Sequence, residues 1–224
     1  GLAKVLEAKE RLAADPESQL LCATELCALW TERIDDPERA IEAHLRVLAL
    51  DGERPDILTG LEGLYERTER HDDRADVLRR QIPMLEDPED LAQASYRLGR
   101  CLQQELNDPN GAADAYNAVL RVAPHEPTVN ALERLLEDSD PVSSGPLRKK
   151  LVAILEPVYE AGESWEKLAE LYEVRLEATT DTYSKIRLLK DLAAIQEDRL
   201  DDTAGAANSL GRALQEAPDD KDIR

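Results

Sequence analysis

LGRCLQQELNDPNGAADAYNAVLRVAP, running from Leu98 to Pro124, reads as a helix, a tight acidic turn and a second helix. Leu98, Gly99 and Leu102 share one helical face, because residues three and four apart stack on a helix. Asn107-Asp108-Pro109 stops that helix and starts the next. Asp108 offers a carboxylate cap, and Pro109 suits the first helical position, where no N–H is needed. Ala112, Tyr116, Val119 and Leu120 then fall at i, i+4, i+7 and i+8, a one-sided apolar stripe. Pro124 closes the unit. Neither helix can bury its stripe alone, so the pair predicts packed neighbours.

Those neighbours are written along the chain. Leucine followed fourteen residues later by alanine recurs at Leu26/Ala40, Leu61/Ala75, Leu98/Ala112, Leu155/Ala169 and Leu192/Ala206. Four residues after each leucine stands Trp30, Tyr65, Leu102, Tyr159 or Gln196. The leucine spacings are 35, 37, 57 and 37, so three equal one helix pair and one holds roughly twenty extra residues. A longer period of 72 relates Ala3-Lys4-Val5-Leu6 to Ala75-Asp76-Val77-Leu78, and Asp35-Asp36-Pro37 to Asn107-Asp108-Pro109. Helices are predicted near 2–14, 17–33, 37–50, 55–69, 72–86, 89–106, 109–123, 127–138, 146–161, 164–178, 182–200 and 203–217, with no strand.

The expected architecture is all-α: a right-handed superhelical solenoid of antiparallel helix pairs, about 12 helices in all, forming one array over residues 1–224. Regular repeats cover 1–124 and 147–217. Between them lies an insertion, 127–146, with a short helix and the loop Ser139 to Pro146. An odd helix in a paired scheme predicts a break in regularity between about 138 and 147, and Pro157 predicts a kink in the helix that follows. Both ends read as cut: the first residues open inside a second-type helix, and Pro218 to Ile223 aligns with the lead-in to another first helix at Gly52 to Ile57.

Alanine and leucine fill the apolar positions and Phe is absent, a composition suited to closely packed helices. Lys plus Arg number 28 against 48 Asp plus Glu, a formal charge of −20 that repels phosphates and anionic lipid, so no nucleic acid and no membrane insertion are expected. The same field attracts a basic partner. Cys22, Cys27 and Cys101 show no metal spacing and read as buried thiols of a reducing compartment, which makes the expected location cytoplasmic.

The frame resembles the tetratricopeptide repeat, whose helix pair of about 34 residues carries W-x2-L-G-x2-Y and then A-x3-F and P. Leu98, Gly99 and Leu102 stand in its first-helix places, and Ala112, Tyr116 and Pro124 in its second-helix places. Leu26, Cys27 and Trp30 with Ala40, His44 and Gly52 follow suit, as do Leu192, Ala193 and Gln196 with Ala206, Leu210 and Pro218. Glu62 and Glu156 depart from it, replacing the small residue after the leucine, and Trp165 to Tyr172 reads as a first helix where the frame sets a second. The alternation of long and short pairs also looks like the arrays of large proteins in predatory and gliding deltaproteobacteria.

Chemistry is sparse. His71-Asp72-Asp73 is a helix start, where acidic residues satisfy free N–H groups and the dipole, so it does not read as a metal site. His44 occupies a packing slot, and His125 sits in a turn between Pro124 and Pro127 with no partner visible in sequence. No phosphate loop, nucleophile elbow or zinc motif occurs, so neither enzyme, metal nor cofactor is expected. The resemblance implies a non-catalytic scaffold holding a peptide or protein on its first helices. The alternative is a structural spacer in a giant repeat protein. Candidate partner-binding residues are Gln93, Tyr96, Arg97, Arg100 and Gln104 (with Gln103) around Leu98, and Arg187 and Lys190 around Leu192. Arg97 and Arg100 suit a carboxylate. Some family members clamp a peptide's terminal carboxylate with Lys, Asn and Arg on successive first helices; here Asp56, Gly60 and Gly63 leave that pattern incomplete.

Overall fold

A computed structural model describes residues 1–141 and 143–217. Twelve α-helices make up the described chain. They are α1 (Leu2–Leu12), α2 (Pro16–Ala28), α3 (Pro37–Asp51), α4 (Pro55–Arg67), α5 (His71–Gln81) and α6 (Pro88–Gln104), followed by α7 (Pro109–Val122), α8 (Glu126–Glu137), α9 (Gly145–Ala161), α10 (Trp165–Glu177), α11 (Thr182–Asp198) and α12 (Thr203–Glu216). A π-helical turn, Leu29–Ile34, extends α2, and a 3-10 turn, Ile82–Met84, extends α5. Every predicted helix is present, and no strand occurs among the described residues. The lead-in expected at 218–223, with Pro218, lies outside them.

The repeat frame is a burial frame. Leu26, Leu61, Leu155 and Leu192 are fully covered and Leu98 nearly so, while Ala40, Ala75 and Ala112 are fully covered against them. Trp30, Tyr65, Leu102, Tyr159, Tyr172 and His44 are buried, as are all three free cysteines. Asp36, Asp108 and Asp202 cap α3, α7 and α12 by accepting the N–H groups of Arg39, Gly111 and Gly205.

The five turns inside the leucine–alanine pairs share one device. The residue before each N-cap has a left-handed backbone: Asp35, Glu69, Asn107, Glu163 and Asp201, with φ from 49° to 56°. The N-cap N–H then donates to the carbonyl of the residue four past the repeat leucine. In three pairs that bond spans six residues: Asp36 to Trp30, Asp108 to Leu102 and Asp202 to Gln196. In two it spans five: Arg70 to Tyr65 and Ser164 to Tyr159. Long and short turns alternate through the chain. The residue after the leucine tracks them, being small in long pairs (Cys27, Gly99, Ala193) and glutamate in short ones (Glu62, Glu156).

The chain divides into two compact units, Gly1–Ala123 and Pro124–Arg224. The division falls ahead of the extra helix. Ala123 is extended, with φ −158° and ψ 157°, and Pro124 follows it. Helix α8 belongs to the second unit because its Glu133 accepts from Tyr159 of α9 and pairs with Lys167 of α10. Its Leu132-Glu133 repeats the short-pair signature. Helix α9 is continuous through Pro157 and runs on to Ala161.

Two slots depart from the frame: Ala169 and Gln196 are each only half covered. In α10, Leu168 and Tyr172 stand where α5 has Arg74 and Leu78. The Tyr172 hydroxyl donates to Glu156 of α9 at 3.3 Å across this seam.

Candidate functional site

Helix α6 carries no Asp or Glu between Leu91 and Gln104, in a chain with 48 acidic residues. Its packing residues Ala94, Leu98, Cys101 and Leu102 are buried, which turns Gln93, Arg100 and Gln104 outward and leaves Tyr96 and Arg97 half-exposed. Arg100 Nη2 donates to Gln104 Oε1 at 3.3 Å, and Gln93 Nε2 donates to Glu89 at 3.3 Å. The Tyr96 ring tilts against Tyr116 at 6.0 Å. Gln103 accepts the Tyr116 hydroxyl at 2.7 Å, and burial pushes that phenol up to about 12, so it stays a donor.

Arg97 is committed elsewhere. Its Nε donates to Glu62 Oε1 at 2.8 Å, and Arg74 reaches the same oxygen at 3.3 Å. Sequence marks Glu62 as a misfit for a small-residue place; the structure makes it an ionic tie from α4 to α5 and α6. The other glutamates of this type also tie their helices to neighbours, Glu133 to α9 and α10 and Glu156 to α10 alone. Glu133 takes Lys167 at 2.6 Å and the Tyr159 hydroxyl at 2.8 Å, and Glu156 takes Arg175 at 2.9 Å and the Tyr172 hydroxyl at 3.3 Å. Burial, then the facing glutamates, raises both phenols, Tyr172 to about 12 and Tyr159 beyond. The signal was readable: a glutamate directly after each short-pair leucine, with a phenol or cation a helix away.

Cations also roof the repeat aromatics. Arg39 lies 4.7 Å from the Trp30 ring centre, Arg70 4.8 Å from that of Tyr65, and Arg199 4.7 Å from that of Trp165. His125, without a partner in the sequence reading, is the N-cap residue of α8, with Nδ1 2.7 Å from Thr128 Oγ1. His44 Nδ1 lies 2.7 Å from the Ala40 carbonyl, and burial lowers its pKa.

The remaining sequence candidates belong to the second unit. Arg187 is an exposed side chain on α11 whose Nε stands 4.0 Å from Asp191, and Lys190 is half-exposed beside it. Clefts open along the α9–α10 seam. One of about 260 Å³ has Val152, Ala153 and Val174 in its lining, and one of about 490 Å³ runs from Lys149 to Arg187 and Asp191. Among the described residues, no group of three or more His, Cys, Asp or Glu is placed to hold a metal ion, and no helix is long and apolar enough to cross a membrane.

A buried leucine and a turn with a left-handed residue before the N-cap, five times over, define the architecture. The fold is a tetratricopeptide-like array of helix pairs. No family model matches the sequence, and none of the curated proteins is similar to it. Three of the solved structures similar to the chain are described as tetratricopeptide repeat proteins or domains. A repeat protein from Parabacteroides merdae shares 16% identity at a TM-score of 0.45, over 99% of this chain and 88% of that one. The TPR2AB domain of yeast Sti1, solved with a pHSP90 partner, shares 13% at 0.41, over 90% and 79%. YrrB, described as a TPR protein with an unusual peptide-binding site, shares 16% at 0.35, over 97% and 93%. Likeness this loose carries no argument about function; the helix pairs themselves carry the fold.

Proposed function

We propose that this chain is a non-catalytic scaffold that holds a peptide or protein segment on the outward faces of its first helices, with Gln93, Tyr96, Arg100 and Gln104 of α6 in contact. The support is the acid-free, polar face of α6 on a chain of formal charge −20. Such a face costs nothing to the fold, because its packing residues lie on the other side. Its amides and Arg100 offer donors to the backbone carbonyls and carboxylates of an extended segment.

The test is affinity capture from the source organism with the parent chain and with an Arg100→Glu/Gln104→Ala variant. Arg97 is left intact because its loss would free Glu62. Partners retained by the parent and lost by the variant are expected. Identical captured proteins at identical yield would remove this face from consideration.

A second reading is a structural spacer in a longer repeat protein. It is favoured by one observation: Arg97, one of the two cations that suit a carboxylate by sequence, is spent on Glu62 at 2.8 Å. A spacer retains no partner in either form of the chain.

A further inference from the structure

Asn110-Gly111 is the one place in the 224 residues where asparagine precedes glycine; Asn107, Asn117, Asn130 and Asn208 precede Asp, Ala, Ala and Ser. Asparagine before glycine is the dipeptide most prone to spontaneous deamidation, because glycine has no Cβ to shield its amide nitrogen. The chemistry needs only water. The Gly111 nitrogen gives up its proton to solvent base and bonds to Asn110 Cγ. The bond from Cγ to the side-chain nitrogen breaks, that nitrogen takes a proton from water and leaves as ammonia, and a succinimide ring closes. Water then opens one of the two ring carbonyls, leaving aspartate or isoaspartate at 110.

The fold holds both reacting atoms out of use. Asn110 lies exposed in the first turn of α7. A helical ψ of about −42° keeps the Gly111 nitrogen out of the near-planar ring that closure requires. The proton that must leave is engaged as well: the Gly111 N–H donates to Asp108 Oδ1 at 2.9 Å. A carboxylate in that place shields the N–H from base and disfavours the amide anion. The next N–H, that of Ala112, donates to the Asp108 carbonyl at 3.0 Å, and Ala112 and Ala113 are fully covered. The turn therefore opens only against the packing of α7.

The glycine that makes the dipeptide labile also makes the cap tight. A Cβ on Gly111 would press on the Asp108 carboxylate and stand 3.2 Å from Leu102 Cδ1. Helix α12 repeats the arrangement: the Gly205 N–H donates to Asp202 at 2.9 Å, and a Cβ there would press on that carboxylate too. In α3 the same place is held by Arg39, and its N–H bond to Asp36 is longer, 3.2 Å. The residue before the glycine of α12 is Ala204, which has no side-chain amide to lose. Of the three long turns, the one at α7 alone joins a tight cap to a reactive neighbour.

We propose that Asn110 is a deamidation site latched by Asp108, converting in the folded chain only through opening of the first turn of α7. The product then marks chains in which that turn has been open. Aspartate at 110 adds negative charge where the helix dipole favours it. Isoaspartate instead puts an extra backbone carbon between the cap and the Ala112–Tyr116 stripe, so chains carrying it should melt below the parent.

The experiment incubates the whole chain in mildly alkaline buffer and follows the mass gain of the tryptic peptide 101–121. Electron-transfer fragmentation places the gain at 110 and separates isoaspartate from aspartate. The folded parent is expected to convert about tenfold or more slowly than the same chain in guanidinium chloride. Asp108→Ala should speed conversion of the folded chain about fivefold, the factor that corresponds to a lost cap of about 1 kcal/mol. Asp108→Ser, which also caps, should return it most of the way to the parent rate. Asp36→Ala removes the equivalent cap of α3 and should leave the rate at 110 unchanged. Both alanine variants should keep the parent's circular dichroism.

Equal rates in the folded and unfolded chain would overturn the proposal, as would an Asp108→Ala chain that converts no faster than the parent. Equal acceleration by Asp36→Ala and Asp108→Ala would make global unfolding the route and sink it too.

Discussion

Replacing Gly99 with alanine tests whether the Leu98–Pro124 pair packs as described. A Cβ at Gly99 would sit 2.4 Å from Tyr116 Cε1 and 2.6 Å from Cδ1, whereas carbon atoms rest at about 3.5 Å or more. The ring must therefore move by roughly 1 Å. It has little freedom to do so: Tyr116 is fully buried, its hydroxyl is bound to Gln103 at 2.7 Å, and Tyr96 leans on it. Overpacking of this kind costs about 1–3 kcal/mol, and the tight contact argues for the upper half of that range. Alanine in place of glycine inside a helix returns about 1 kcal/mol. The net loss is about 1–2 kcal/mol, a fall in Tm of roughly 3–6 °C.

The control is Gly63→Ala in α4, where an added Cβ meets nothing within 4 Å, so only the helix gain of up to about 1 kcal/mol remains. Urea unfolding followed by circular dichroism reads both. Opposite signs are expected, and Tyr116→Leu should rescue Gly99→Ala. If Gly99→Ala is as stabilising as Gly63→Ala, the close approach of α6 and α7 is wrong.

Glu62→Gln should destabilise by about 2–3 kcal/mol, below the 3–5 of a fully buried pair because Arg97 is partly exposed and Arg74 keeps Glu66 at 2.9 Å. Arg97→Ala should cost less than half as much, and equal losses would refute the shared role of Arg74. Glu163→Gly relieves a left-handed backbone with φ 49° and should raise stability by up to about 1 kcal/mol in thermal melts; a loss would mean that the side chain matters more than the turn. His44 is held neutral by burial, so its folded pKa lies below the unfolded value of about 6.5. The unfolded chain then binds the extra proton, and stability falls as pH drops below about 6.5 toward the folded pKa. The urea midpoint of the parent should drop more than that of His44→Gln between about pH 7.5 and 5, and parallel drops would remove His44 from the linkage.

The helices were legible because period and punctuation agree. Asp-Pro marks the starts of α3 and α7, and leucine with alanine marks the seams. The left-handed residues were less so, since Glu69 and Glu163 have no preference for that conformation and adopt it because the turn leaves no other path. Arg97 shows the limit at the candidate site. Its place beside Leu98 reads as an outward cation, yet its partner lies 35 residues away, one repeat earlier. Sequence spacing gave that neighbour, but not which way each side chain would lean.

The alternation of turns also sets a unit of exchange. Because the N-cap N–H reaches back six residues in one pair and five in the next, a helix pair is not interchangeable with its immediate neighbour. It matches the pair beyond. Deleting one pair would bring two turns of equal span together, with two glutamate pairs or two small-residue pairs side by side. Deleting two in succession preserves the parity. The extra helix α8 passes this rule, since the pairs on either side of it still differ. Grafts and truncations of this chain should therefore join at like-numbered caps, such as Asp36 to Asp108, and count helix pairs in twos.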